Sequence, residues 1–278
     1  MEIMTPDKYK KSIHPVAIFK EAWGICRNNL GKLGAIYFIF NLPIIIFYLT
    51  PVASKLQDQK PNLQVFLGFF IPALIISIWC HISLLLGVKQ AVGLEFWTIG
   101  QSIKQTKKFF LKYLGTVLIV FLFLMGMIIL GGLSAAIILP LLLKVSKILA
   151  ALICLVLVIV LILFLAYFMI LWSLATTVCV LENVRAVTAL KKSSSLIKNY
   201  VLPVTGTYCL IILVYIACLL PFIIIGTFLG LGNYPDMANR AGTIYSMFIN
   251  ILLVPFWTAI AVILYKKLKE VLEAHVCA

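Results

Sequence analysis

Acidic side chains are scarce in this chain: 9 Asp and Glu stand against 23 Lys and Arg among 278 residues. Charged residues of both signs make up only 12% of the sequence. A soluble domain carries about a quarter, so a water-soluble globule is excluded, and the long uncharged runs exclude a disordered chain. The seven cysteines fall at no metal-ligand spacing. Cys80, Cys154, Cys179, Cys209 and Cys218 lie inside apolar runs, flanked by Cys26 and Cys277. A thiol in such surroundings behaves as a small hydrophobe, and no disulfide framework is indicated. The three histidines, His14, His81 and His275, have no carboxylates nearby in sequence. Walker loops, dinucleotide fingerprints, His-Glu-x-x-His and nucleophile elbows are missing as well. Catalysis needs a poised acid, base or metal, so the expectation is a non-enzymatic protein with no cofactor.

What is present is apolar. Hydrophobic residues make up 63% of the chain, and the mean hydropathy is +1.13. A bilayer core about 30 Å thick needs about 20 apolar residues in a helix. Six stretches meet this without a single Asp, Glu, Lys or Arg: Leu33–Ala53, Leu63–Val88, Tyr113–Leu143, Ile148–Val180, Val201–Leu231 and Ala241–Tyr265. The expected class is an all-α integral membrane protein. Met1–Lys32 has no apolar core of the kind a cleaved signal peptide carries, so the first span is expected to serve as its own targeting signal.

The basic residues set an orientation. Met1–Lys32, Lys89–Lys112, Leu181–Tyr200 and Lys266–Ala278 together hold eighteen of the 23 Lys and Arg. The loops Ser54–Asn62, Lys144–Lys147 and Gly232–Arg240 hold five. Basic residues accumulate on the cytoplasmic side, which places both termini there in a cell membrane. The +14 net charge is accordingly read as a match to anionic lipid headgroups and not to nucleic acid.

The third and fourth spans exceed what a bilayer requires. Thirty-one helical residues from Tyr113 to Leu143 extend about 46 Å, so this pair is expected to tilt and project, or to break at Gly131–Gly132 or Pro140. Prolines 43, 72, 140, 203, 221 and 255 punctuate five of the six spans.

Each basic segment leading into an outgoing span has apolar residues at helical spacing: Val16, Phe19, Trp23, Cys26 and Leu30; then Phe96, Ile99, Ile103, Phe110 and Tyr113; then Val187, Leu190, Ile197 and Val201. This period predicts amphipathic helices at about residues 13–30, 96–112 and 184–200. A basic face suits them to the headgroup plane, with Lys104, Lys108, Lys112, Lys191, Lys192 and Lys198 as headgroup contacts. The junctions Asn29-Leu30-Gly31, Tyr113-Leu114-Gly115 and Tyr200-Val201-Leu202 recur at about 84 and 87 residues, so the expected plan is three copies of helix–span–span, three hairpins inserted the same way round.

The run Ile18-Phe19-Lys20-Glu21-Ala22-Trp23 through Asn28-Asn29-Leu30-Gly31 resembles the start of the glycerophosphoryl diester phosphodiesterase membrane-domain family. Leu171-Trp172-Ser173-Leu174-Ala175, Val180-Leu181-Glu182, Ala189-Leu190-Lys191-Lys192-Ser193 and Pro255-Phe256-Trp257-Thr258-Ala259 continue the resemblance over nearly the whole chain. It implies a six-helix membrane module of bacteria or archaea. Leu171 stands where family members often have a basic residue, and nothing here supplies the phosphodiesterase barrel's His-Arg-Gly or its carboxylates. The resemblance therefore implies no phosphodiesterase activity.

Three candidate sites follow. Counting about 12 Å inward from the cytoplasmic ends brings Asn41, His81, Ser173, Thr207 and Thr258 to one level, where they form a candidate polar vestibule. Glu182 and Arg185 form a candidate gate, or a charge favoured at a helix start. The six lysines form the headgroup contacts. The functional expectation is a lipid- or partner-organising membrane module, with a small-solute or lipid transporter as the alternative.

Overall fold

The computed structural model describes residues 13–49, 63–93, 97–143, 147–228 and 235–276. The loop Ser54–Asn62, most of Lys144–Lys147, the start of Gly232–Arg240, the last residues of the first and fifth spans, and Phe96 lie outside the described residues. Among those described there are helices and turns and no strands. In chain order the helices are α1 (Pro15–Leu49), α2 (Leu63–Val92), α3 (Ile99–Leu143), α4 (Lys147–Trp172), α5 (Ala175–Leu181), α6 (Ala186–Ile197), α7 (Val201–Phe228) and α8 (Pro235–Val276).

Five segments are long and apolar enough to cross a membrane: Ile71–Val92, Ile99–Ser134, Ala150–Leu181, Val201–Phe228 and Ala241–Ala274. The protein is thus an all-helical, multi-pass membrane protein. The first expected span is described as far as Leu49, where it forms the second half of α1.

The chain divides into two compact units, Met1–Leu111 with Leu202–Ala278, and Lys112–Val201. In the first unit α1 packs on α2 and α8, and α2 packs on α8. Its core gathers in one half of each helix. On α2, Ile71, Leu74 and Ile75 are exposed, whereas Ile78, Ile82, Leu84, Leu85, Leu86 and Val88 are buried. On α8, Ile244 and Phe248 are exposed, whereas Leu253, Phe256, Ile260, Ile263, Leu264, Leu268 and Val271 are buried. Exposed apolar side chains are the normal face of a helix toward acyl chains, so the exposed halves suit lipid and the buried halves suit protein.

The second unit holds the remainder of α3, together with α4, α5 and α6. Phe123, Phe168 and Trp172 pack α3 on α4, with ring centroids 4.7–5.2 Å apart. α5 and α6 bury Val178, Cys179, Val180, Ala189, Leu190, Leu196 and Ile197.

Of the two alternatives for the third span, the break at Gly131–Gly132 or Pro140 is not seen, and α3 runs unbroken to Leu143. Gly131 serves close approach instead: a Cβ there would lie 2.8 Å from Leu161 Cδ2. The break falls in the fourth span, where Ser173 and Leu174 turn between α4 and α5. The Ser173 N–H and Oγ both bond to Ile170 O, at 3.1 and 2.7 Å. A serine hydroxyl that competes for local carbonyls favours such a turn. The helix that carries the sixth expected span, Ala241–Tyr265, runs on past it. It continues to Val276 because Leu264, Leu268 and Val271 keep the apolar rhythm beyond the span.

Two of the three stretches expected to be amphipathic join the following apolar run without interruption, one within α1 and one within α3. No proline stands at either junction. The third is a separate helix, α6. Asn183 precedes it at φ 56°, a left-handed conformation that asparagine tolerates better than most residues. Pro203 lies in the first turn of α7, where a missing N–H costs least.

Candidate membrane-surface site

The first half of α1 is built as a crossing element. Gly34 sits beside Ile251 of α8, with the position of a Cβ 3.4 Å from Ile251 Cγ2. Phe19 meets Phe256 edge to face, with centroids 4.7 Å apart. Fifteen residues separate the two contacts on α1, about 22 Å of helix, but only five separate them on α8, about 8 Å. Helices lying side by side would keep pace, so the N-terminal half of α1 runs across α8.

Glu21 supports the same geometry. It lies two residues and about 200° around the helix from Phe19, and its carboxylate accepts from Lys267 Nζ at 2.7 Å. Lys267 lies eleven residues from Phe256, about 16 Å along α8. Opposite faces of one helical turn therefore reach opposite ways along α8. At the start of α1, Pro15 lies against Gly206 of α7 (3.2 Å to the position of a Cβ). Leu33 lies against Gly87 of α2 (3.3 Å). The segment straps α7, α8 and α2 together.

Its buried side is Ile18, Ala22, Cys26 and Leu33. The rhythm Val16, Phe19, Trp23, Cys26, Leu30 is therefore offset from the true core stripe, and Val16, Trp23 and Leu30 are exposed. The spacing of Ile18, Ala22 and Cys26 at every fourth residue was the available signal. Burial pushes the Cys26 thiol up to about 12, because a thiolate loses its hydration there.

The start of α3 lies antiparallel to the end of α2. Ser83 and Thr106 share a buried hydrogen bond of 2.9 Å. Ser102 Oγ donates to Gln90 Oε1 at 3.3 Å, and Trp79 and Phe110 stack obliquely at 5.6 Å. Ser102 and Thr106 are fully buried, so the innermost face of this segment is hydroxylic. Ile99, Ile103 and Phe110 are half-buried. Lys104, Lys107 and Lys108, at i, i+3 and i+4, are exposed together on the outer face. Trp97 is buried over Gly87. Its ring lies 5.2 Å from Lys32 Nζ, which also donates to Trp97 O at 3.2 Å.

In the second unit the candidate gate takes a specific form. Glu182 ends α5 as its C-cap, and Arg185 is the extended N-cap of α6. The Glu182 carboxylate pairs with Lys192, in the second turn of α6. Lys112 Nζ donates to Asn183 O at 3.0 Å and to Asn183 Oδ1 at 2.8 Å. Two of the six expected headgroup lysines thus tie the turn in place, while Lys104, Lys108, Lys191 and Lys198 are exposed. Ser193, fully buried, donates to Leu171 O at 2.7 Å, satisfying a carbonyl beside the break in the fourth span.

Three of the five vestibule residues spend a donor on their own helix. Asn41 Nδ2 donates to Tyr37 O at 2.9 Å, Thr207 to Pro203 O at 2.9 Å, and Thr258 to Val254 O at 2.9 Å. Ser173 bonds within its turn, as above. Asn41 also reaches Cys80 Sγ at 4.0 Å, and His81 is half-buried. Ser173 belongs to the second unit and the other four to the first. Donors satisfied in this way need no wet cavity. Among the described residues no group of three or more His, Cys, Asp or Glu is placed to hold a metal ion.

No family model matches this sequence, and no curated protein or solved structure is similar to it.

Proposed function

We propose that the protein is a non-enzymatic membrane module that holds anionic phospholipid headgroups along its cytoplasmic surface. In this reading it has six spans in three hairpins, both termini are cytoplasmic, and it sits in a prokaryotic cell membrane. Its kinship is with the membrane-domain family that the motifs around Trp23, Trp172 and Trp257 resemble. The carrying observation is the outer face of α3. Lys104, Lys107 and Lys108 stand exposed together, directly behind fully buried Ser102 and Thr106, on a helix that continues into an apolar span. Buried Ser102 and Thr106 turn the lysines outward, and their place in the sequence just before the apolar run Tyr113–Leu143 supports a position among headgroups. A lysine near an anionic surface gains about 1 kcal/mol. Lys191 and Lys198 give the second unit a basic face of its own.

The test is reconstitution in nanodiscs of phosphatidylcholine with increasing phosphatidylglycerol, followed by thermal unfolding. Wild-type protein gains stability with phosphatidylglycerol, and K104Q/K107Q/K108Q loses most of that gain while melting normally in phosphatidylcholine alone. A wild-type protein indifferent to phosphatidylglycerol overturns the reading.

A further inference from the structure

We propose that the outward face of the α1 strap is a discrete docking site for one anionic phospholipid, with Lys20 and Arg27 on the phosphate and Trp23, Val16 and Leu30 against the acyl chains. This rests on the headgroup reading above and adds a second site to it. The five residues stand at i, i+4, i+7, i+11 and i+14, which confines them to a sector of about 80° on the helix. All five are exposed, and apolar and basic residues alternate along the sector. Glu21 has its partner in Lys267. Lys20 and Arg27 have no ion-pair partner among the described residues, so their charges remain available to a ligand.

The crossing geometry gives this face a direction. Phe19 points along α8 toward the apolar end at Phe256, and Glu21 points toward the polar end at Lys267. Trp23 follows Phe19 onto Phe256, with centroids 5.8 Å apart. The side of the strap holding Val16, Trp23 and Leu30 therefore looks toward the bilayer interior, and Asn28 lies on the Glu21 side. Lys20 and Arg27 flank the apolar row at the level between the two. An aromatic side chain at the interface with cations beside it is the arrangement that accepts a phospholipid, tails below and phosphate beside the charges. A lone apolar stripe would suit any hydrophobic partner. The paired cations select an anion, and the same helix entering the apolar layer a few residues later selects a lipid.

The experiment combines two measurements on the full-length protein. Phosphatidylglycerol retained after release from mixed nanodiscs is quantified by native mass spectrometry for wild type, K20Q/R27Q and K104Q/K107Q/K108Q. K20Q/R27Q is expected to weaken retention about fivefold per charge removed, in addition to the loss from the α3 variant. Retention by K20Q/R27Q equal to wild type, while the α3 variant loses lipid, overturns this inference and leaves the broader reading standing. No preference for phosphatidylglycerol in any of the three overturns both. Nitroxide labels at Trp23 and Asn28, in a background with the native cysteines replaced, give an independent readout. The label at position 23 is expected to be relaxed more by oxygen than by a water-soluble nickel chelate, and the label at position 28 the reverse. Equal access of the nickel chelate to both positions overturns the assignment even if a charge variant folds poorly.

Discussion

Phe19 of α1 and Phe256 of α8 meet edge to face at 4.7 Å, although Gly34, fifteen residues further along α1, touches α8 only five residues away, at Ile251. One helix thus serves two purposes. Its second half packs with α2 and α8, and its first half crosses α8. The arrangement explains why a segment with basic residues and an exposed tryptophan has a core face at all. Ile18, Ala22 and Cys26 are buried, as are Ile260, Ile263 and Leu264 of α8, on which α1 packs.

Gly87 is required by close packing. A Cβ there would lie 3.2 Å from Trp97 Cη2 and 3.3 Å from Leu33 Cδ2. Gly87→Val should destabilise the first unit by roughly 1–3 kcal/mol, the usual cost of overpacking. Thermal unfolding in detergent checks this, with Gly68→Val, which meets nothing within 4 Å, as the comparison expected to melt near wild type.

Ser193 holds the break in the fourth span. Ser193→Ala removes the only hydroxyl donating to the buried Leu171 carbonyl at 2.7 Å among the described residues. An unsatisfied buried acceptor costs roughly 1–3 kcal/mol. Chemical unfolding should register a loss in this range, and Ser195→Ala, at an exposed position on the same helix, should register little.

Asn183 combines a backbone role with a side-chain role. Asn183→Gly keeps access to the left-handed conformation at φ 56° and loses only the Oδ1 contact to Lys112. Asn183→Val adds backbone strain of about 1–2 kcal/mol. The order of melting temperatures should be wild type, then glycine, then valine. A valine variant as stable as the glycine variant would refute the backbone role.

Cys26 should resist alkylation in the folded protein. Its pKa lies at about 12 when folded and near the ordinary thiol value when unfolded. The unfolded state therefore loses its proton first as pH rises. The thiol's contribution to stability is complete below about pH 9 and declines as pH climbs from there toward 12. Peptide mapping after iodoacetamide treatment at pH 8 should leave Cys26 unmodified until denaturant is added. Replacing it with alanine should remove part of the alkaline loss of stability.

Much of the fold could be read from the sequence, because uncharged runs of more than 20 residues have few stable arrangements outside a bilayer. The helical class and the multi-pass character follow from that alone. The extent of α8 did not, since Lys266, Lys267 and Lys269 mask the apolar rhythm of Leu264, Leu268 and Val271. The break at Ser173–Leu174 lay hidden in a run of apolar residues, while Gly131 and Pro140 drew attention as conspicuous breakers. Of the site residues, the exposed lysines of α3 and α6 follow from helical period. The engagement of Lys112 with Asn183 and of Lys192 with Glu182 depends on how a turn folds back, which spacing does not encode. The hydroxyls at positions 207 and 258 carried a polarity signal, but their own helices absorb it.

The most direct test of the lipid-holding account is the phospholipid composition that travels with the wild-type protein when it is excised from its native membrane in a polymer disc without detergent. The account predicts that anionic phospholipid is enriched around the protein relative to discs cut from the same membrane without it, and that the enrichment collapses when Lys20, Arg27, Lys104, Lys107 and Lys108 are all replaced by glutamine. A lipid composition equal to that of the bulk membrane, unchanged by those five substitutions, would contradict it.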